Sequence, residues 1–384
     1  MTFIESAVRS LPRPRSGLPT RLLHTATMAL LLLCGGCQTT PPVEIEGPPL
    51  AASEAGIIFS LVPEAFVSAA SPDDMVDSAA SWTDANGQRQ VLVSGKNSDQ
   101  LLAFDGASGE LLRRYGSTGS EPGQFNYPNG IFIVDDLAFV VERDNRRVQV
   151  LRLPAFDPLG SFGESELRAP YGIWLRKLDQ HYEVFVSDAF MLPPDYQRVP
   201  PMEELAQRFK RYRVSLRAEG LRSELIQTFG ATDPLGAIRV AESLWGDPAH
   251  DRLLIAEEHR PTGTRLRLYD LQGHSTGRDM GAAQYRAEAE GIALWTCDDG
   301  SGYWIGVDQF GDRTVFHLFD RQGLDHVGSF AGQHTANTDG IWLEQAPSAA
   351  FPAGVLYAIH DDQALVAFDW RQIATALGLR ERCN

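Results

Sequence analysis

The chain has 384 residues and a formal net charge of −16. That balance excludes nucleic acid as a partner, because phosphate-backbone binding needs a basic face, and it fits a cation-binding surface. The nine histidines show no metal-ligand spacing, and no Ser/His/Asp arrangement stands out, so zinc and serine-hydrolase chemistry are poor readings.

Residues 1–36 read as a targeting segment rather than fold. Arg9, Arg13, Arg15 and Arg21 precede the apolar run from Ala29 to Leu33, and Cys34-Gly35-Gly36-Cys37 follows. This is the pattern of a secretory signal with a long n-region. The run falls short of the ~20 residues that a membrane span needs. Small residues directly before a cysteine resemble a bacterial lipobox, with Cys37 as the lipidated residue; an ordinary cleaved signal is the alternative. Gln38 after Cys37 resembles the outer-membrane pattern. The expected product is exported, an outer-membrane lipoprotein of a bacterial cell envelope that meets the membrane only through its N-terminal lipid. Residues 37–56 are small and Pro-rich and read as a tether. Cys297 and Cys383 are then the cysteines of the folded part. In an exported protein they could pair, or stand as two buried thiols.

From residue 57 to 384 the pattern barely changes. Strand-like runs of four to seven residues alternate with Gly, Asp, Asn and Pro turns, an all-β signature. Turn-plus-apolar starts recur at Asn129-Gly130-Ile131, Tyr171-Gly172-Ile173, Glu242-Ser243-Leu244, Glu290-Gly291-Ile292 and Asp339-Gly340-Ile341. Each is followed by an apolar strand, a polar turn and a third strand. Adding Ser81–Tyr115 as a first unit makes six. Four-stranded units repeated every ~40–50 residues describe a six-bladed β-propeller. The interval between Gly172 and Ser243 is longer, so an insertion is expected over Phe190–Arg211. Pro200-Pro201 there introduces a short helix.

The segment Glu288–Gly323 shows the unit most plainly. Gly291–Trp295, Tyr303–Val307 and Thr314–Phe319 read as three strands joined by tight polar turns. Glu288 and Glu290 flank Ala289 at its start. In a strand, residues two apart share a face, so both carboxylates are expected to aim one way. Like charges that close are costly unless a cation lies between them. Glu242, Glu290 and Asp339 each stand one residue before the inner strand, and those positions ring one channel mouth. Glu257 is expected to face solvent or a blade edge, because its neighbour Glu258 points the other way.

The second unit, Gly116–Leu151, resembles an NHL repeat in its Gly123-Gln124-Phe125, Pro128-Asn129-Gly130-Ile131 and Asn145-Arg146-Arg147-Val148-Gln149-Val150 segments. NHL propellers are mostly binding platforms. Over residues 72–375 the chain resembles the β-propeller phytases. Asp77-Ser78-Ala79-Ala80-Ser81-Trp82 and Gly95-Lys96-Asn97 carry that resemblance early in the chain. Val141-Glu142-Arg143 and Tyr171-Gly172 follow, then Ala241-Glu242 with Ile255-Ala256-Glu257-Glu258. Glu288-Ala289-Glu290-Gly291, Asp308-Gln309 and Thr338-Asp339-Gly340-Ile341 complete it. Val76 and Ser78 depart from the family's first motif, and Ser187-Asp188 stands where a second lysine is expected.

The resemblance implies a monomeric 3-phytase-type phosphatase that hydrolyses phosphomonoesters of phytate (myo-inositol hexakisphosphate). A metal-activated water would attack phosphorus at the channel mouth. It implies several Ca²⁺ ions held by Asp77, Glu242, Glu258, Glu288, Glu290, Gln309 and Asp339, with Glu242, Glu290 and Asp339 catalytic. Lys96, Arg143 and Tyr171 would bind substrate phosphate. The departures favour a rival: a catalytically weak propeller that uses the same face to bind a ligand or protein in the envelope.

Overall fold

A computed structural model describes residues 55–383. The expected signal (1–36), the expected lipidation site Cys37 and most of the expected tether (37–56) lie outside the described residues.

Two short strands come first, β1 (Ser60–Leu61) and β2 (Phe66–Val67). Six sheets follow in a ring. The first blade is β3 (Val76–Thr83), β4 (Arg89–Gly95), β5 (Gln100–Asp105) and β6 (Leu111–Tyr115). The second is β7 (Pro128–Val134), β8 (Leu137–Glu142), β9 (Arg147–Arg152) and β10 (Asp157–Phe162). The third is β11 (Pro170–Leu178), β12 (His181–Asp188), β13 (Phe209–Arg217) and β14 (Gly220–Phe229). The fourth is β15 (Ala241–Asp247), β16 (Arg252–Glu257), β17 (Arg265–Tyr269) and β18 (Ser275–Met280). The fifth is β19 (Ala289–Thr296), β20 (Gly302–Gln309), β21 (Thr314–Asp320) and β22 (His326–Ala331). The sixth holds β23 (Ile341–Glu344), β24 (Val355–His360) and β25 (Ala364–Asp369). The molecule is a six-bladed β-propeller.

The N-terminal strands close the ring. β2 completes the sixth blade, with Phe66 opposite Ala367, and β1 adds a parallel fifth strand to the fifth blade, with Ser60 opposite Phe330. The first blade begins at Val76, five residues before the expected Ser81. The helix α1 (Trp370–Leu377) follows β25, capped by the Asp369 carboxylate. The cysteines do pair: a disulfide joins Cys297 to Cys383.

Sequence pattern follows position in a blade. All six residues of β8 are buried, because second strands are covered on both faces by neighbouring blades. Four of the five residues of the outermost β6 are exposed. The core is distributed between blades. Phe139 and Val141 of the second, for example, share a cluster with Val184 and Tyr212 of the third.

The insertion lies between β12 and β13, its single 3₁₀ turn at Met202–Gln207. The expected range ran to Arg211, yet Phe209–Arg211 already pairs as strand. The buried Arg208 guanidinium pins the insertion down by donating to the carbonyls of Asp188, Phe190 and Ile238. Alternate blades plug the central channel. Phe132, Trp245 and Trp342 pack in a triangle with ring centroids 5.1–5.7 Å apart. The cavity left along the channel is about 40 Å³.

Candidate metal centre at the channel mouth

One repeated position builds the mouth. In β7, Pro128 pairs with Glu142 and the next pair is Ile131 with Val140, a slip of one residue. The same slip opens β3, β11, β15 and β19. Such a bulge re-aims a side chain that regular pleating would send into the blade. Asp77, Asn129, Tyr171, Glu242 and Glu290 occupy the bulges, and Asp339 stands at the corresponding place before β23. The residue after each must be small because adjacent blades touch there. A Cβ on Gly172 would meet the Glu242 carbonyl at 2.7 Å, and one on Gly340 the Asp77 carbonyl at 2.7 Å.

The charge of Glu288 reaches both Glu290 and Glu258, raising each carboxyl. Glu288 precedes β19, and its carboxylate lies 3.3 Å from Arg260. Two further carboxylates, from the fourth blade, approach Glu290. Ligand oxygens of Glu242, Glu258 and Glu290 all lie within 4.8 Å of one another. Glu242 and Glu290 are buried. Burial, then the charge of Glu258, pushes the Glu242 carboxyl well above its usual range. Burial and then Glu242 do the same to Glu290, while burial and Glu288 lift Glu258 to about 7. The Glu242 Oε2 atom is buried with no hydrogen-bond partner. Three converging carboxylates with an orphaned oxygen fit a hard divalent cation, which takes oxygen ligands.

The other acids of the ring are differently committed. Lys96, expected to meet phosphate directly, is only 1% exposed. Its Nζ lies 2.8 Å from Asp77 Oδ1 and 3.1 Å from Asp339 Oδ2. An ammonium so placed is a counter-ion, because burying the two aspartates costs less with a positive charge beside them. Burial pushes Asp77 up, but Lys96 outweighs it and holds the carboxyl below its usual range. Asp339 stays well above, raised by burial and by Asp362 and Asp77 against the pull of Lys96. Tyr171 donates its hydroxyl to Asp77 Oδ1 at 2.8 Å, and Gln309 donates its amide to Asp339 Oδ1. Arg143 stacks over the Tyr127 ring at 3.5 Å, with its Nε 2.7 Å from Asp144. The seven nominated ligands thus divide. Three form the triad, three gather around Lys96 or its partners, and Glu288 pairs with Arg260.

Glu257 is fully buried, contrary to the expected solvent or edge position. Its carboxylate accepts the backbone N–H groups of Arg239 and Val240. Asp188 and Asp308 do the same for the chain entering their own blades, at Ala169 and Ala287. These second-strand ends are braces. The residue after the Glu257 brace, Glu258, reaches the mouth.

Two mouth residues were not nominated from sequence. Asn129 is wholly buried, and neither its Oδ1 nor its Nδ2 has a partner. Its equivalence to Tyr171 and Glu290 in the Asn129-Gly130-Ile131 repeat start was the available signal. Asp362 also faces Lys96, and its Oδ1 is buried without a donor; no repeat signal marks it.

No protein-family model matches the chain, and no curated protein matches it. Solved structures do. One is the crystal structure of BBS1N in complex with ARL6DN, soaked with mercury. It has a TM-score of 0.44 and 12% identity over 81% of this chain and 97% of that one. Another is Kuenenia stuttgartiensis hydrazine synthase, with a TM-score of 0.44 and 10% identity over 84% of this chain and 82% of that one.

Proposed function

We propose that the channel mouth binds Ca²⁺ through Glu242, Glu258 and Glu290, and that the loaded protein hydrolyses phosphomonoesters of inositol phosphates, phytate among them. The observation that carries this reading is the triad, with Glu242 Oε2 buried and unsatisfied. Bound there, calcium would supply positive charge to a mouth that otherwise repels anions, and would acidify water for attack on phosphorus. The chain's own residues supply the setting. Arg143, stacked on Tyr127 and bonded through Nε and Nη2 to Asp144, would meet a phosphate oxygen by exchanging that carboxylate for it. The Asn129 amide offers a donor and an acceptor with no internal partner. Tyr171 fixes Asp77. The Phe132–Trp245–Trp342 triangle packs the channel three residues along the inner strands from the mouth positions.

A second reading is a propeller that binds a cation and an anionic ligand without turnover. The engagement of Lys96 with Asp77 and Asp339 favours it. Phosphate release from phytate, with excess Ca²⁺ and again with chelator, separates the two. Release that needs Ca²⁺ and is lost in Glu290→Ala supports the hydrolase. Ca²⁺ binding without release supports the binding module, and neither would remove both.

A further inference from the structure

The mouth has two acidic halves, and they are neutralised differently. Beside the Glu242, Glu258 and Glu290 half the cationic side chain is Arg260, which pairs with Glu288 at 3.3 Å. The Asp77 and Asp339 half already contains one. Lys96 Nζ sits 2.8 Å from one carboxylate and 3.1 Å from the other. Those distances suit charge-assisted hydrogen bonds. Asp362 Oδ1 is buried nearby without a donor. The placement of Lys96 is built in. Its backbone N–H bonds the Met75 carbonyl, and the next N–H, that of Asn97, bonds the Asp74 carbonyl. Gly95 packs so tightly that a Cβ would meet Ser98 Oγ at 2.5 Å. The side chain therefore leaves a clamped turn and runs into the interior.

We propose that Lys96 is an internal cation that takes the place of a metal ion between Asp77 and Asp339, so that this propeller holds one divalent ion at its mouth, at Glu242, Glu258 and Glu290. The single-ion count rests on the calcium reading above; the role of Lys96 does not. The geometry is that of a cation site: oxygens from the start of the first blade and from the entry to the sixth converge on one positive atom. An ammonium is a compact point charge with three donors, and a buried one does not leave for solvent. Extra calcium should not displace it. Removing it should leave two or three carboxylates facing one another, ready for an ion.

The test counts Ca²⁺ ions bound per chain, by calorimetry and by metal analysis after gel filtration. Wild type should bind one and Lys96→Arg one. Lys96→Ala should bind two, and Glu290→Gln with Lys96→Ala should keep one. Wild type binding two or more, or Lys96→Ala gaining none, would overturn the proposal. If Lys96→Ala folds only in millimolar Ca²⁺, the ion has replaced the ammonium, as expected. If it stays unfolded even then, the carboxylates have not accepted an ion and the proposal fails. Wild type binding none while Lys96→Ala gains one would remove calcium from the triad yet keep the role of Lys96.

Discussion

The Tyr171 hydroxyl donates to Asp77 Oδ1 across the channel mouth at 2.8 Å, joining the third blade to the first. Asp77 Oδ1 also faces Lys96 Nζ at 2.8 Å, so one oxygen serves two elements far apart in the chain. A hydrogen bond to a charged group contributes about 1.5–3 kcal/mol. Tyr171→Phe should lower unfolding stability by roughly that amount and leave Ca²⁺ affinity at the triad within a few-fold of wild type. Urea melts and calorimetry on the same samples measure both.

Adjacent glutamates should behave oppositely. Glu257 braces the entry to the fourth blade, whereas Glu258 faces the triad. Glu257→Gln should destabilise by about 1–3 kcal/mol, because a charged acceptor of buried backbone N–H groups is lost. It should leave Ca²⁺ binding intact. Glu258→Gln should weaken Ca²⁺ binding by tenfold or more at little cost in stability.

The contrast also marks where sequence reading stops. Alternation along β16 told that Glu257 and Glu258 point to opposite sides, but not which side is the mouth. The six units were legible because each repeats a small residue after the ring position, where the next blade's backbone presses close. Glu242, Glu290 and Asp339 were found through that equivalence, and Asn129 was available by the same logic. The salt bridge from Lys96 to Asp339 spans 243 positions, and no local pattern marks it. The pairing of Glu288 with Arg260 likewise joins residues that no local pattern links. The closing strand β2 is two residues long, too short for any periodicity.

Stability without a cation should fall as pH rises from about 4.5, the ordinary glutamate value, to about 7, where the folded Glu258 titrates. Burial and like charges raise Glu242 and Glu290 well above their usual values and Glu258 to about 7. In that window the unfolded chain has already lost these protons and the folded chain still binds them. Raising the pH therefore favours unfolding. His259, held down to about 4 by burial and by Arg239, acts in the other direction only below its unfolded value of about 6.5. Saturating Ca²⁺ should flatten the slope. Thermal melts across this range, with chelator and with Ca²⁺, show whether it does.

The Cys297–Cys383 bridge closes a loop over a sequence separation of 86 and ties the C-terminal tail to the fifth blade. Cys383→Ser should cost about 2–4 kcal/mol, chiefly by freeing the unfolded chain. Wild type in reductant should shift equally in guanidinium melts. A shift in neither would mean that the tail contributes little.

Thermal unfolding of wild type and Glu242→Gln, each titrated with Ca²⁺, tests the central claim most directly. An ion bound at a hundred times its dissociation constant stabilises by about 2.7 kcal/mol. Wild type should therefore gain a few degrees in Tm. Glu242→Gln should melt at or above wild type in chelator, since one of three crowded carboxylates is gone, and should gain nothing from Ca²⁺. Equal Ca²⁺ shifts in both proteins, or a variant less stable than wild type in chelator, would contradict a cation site at the triad.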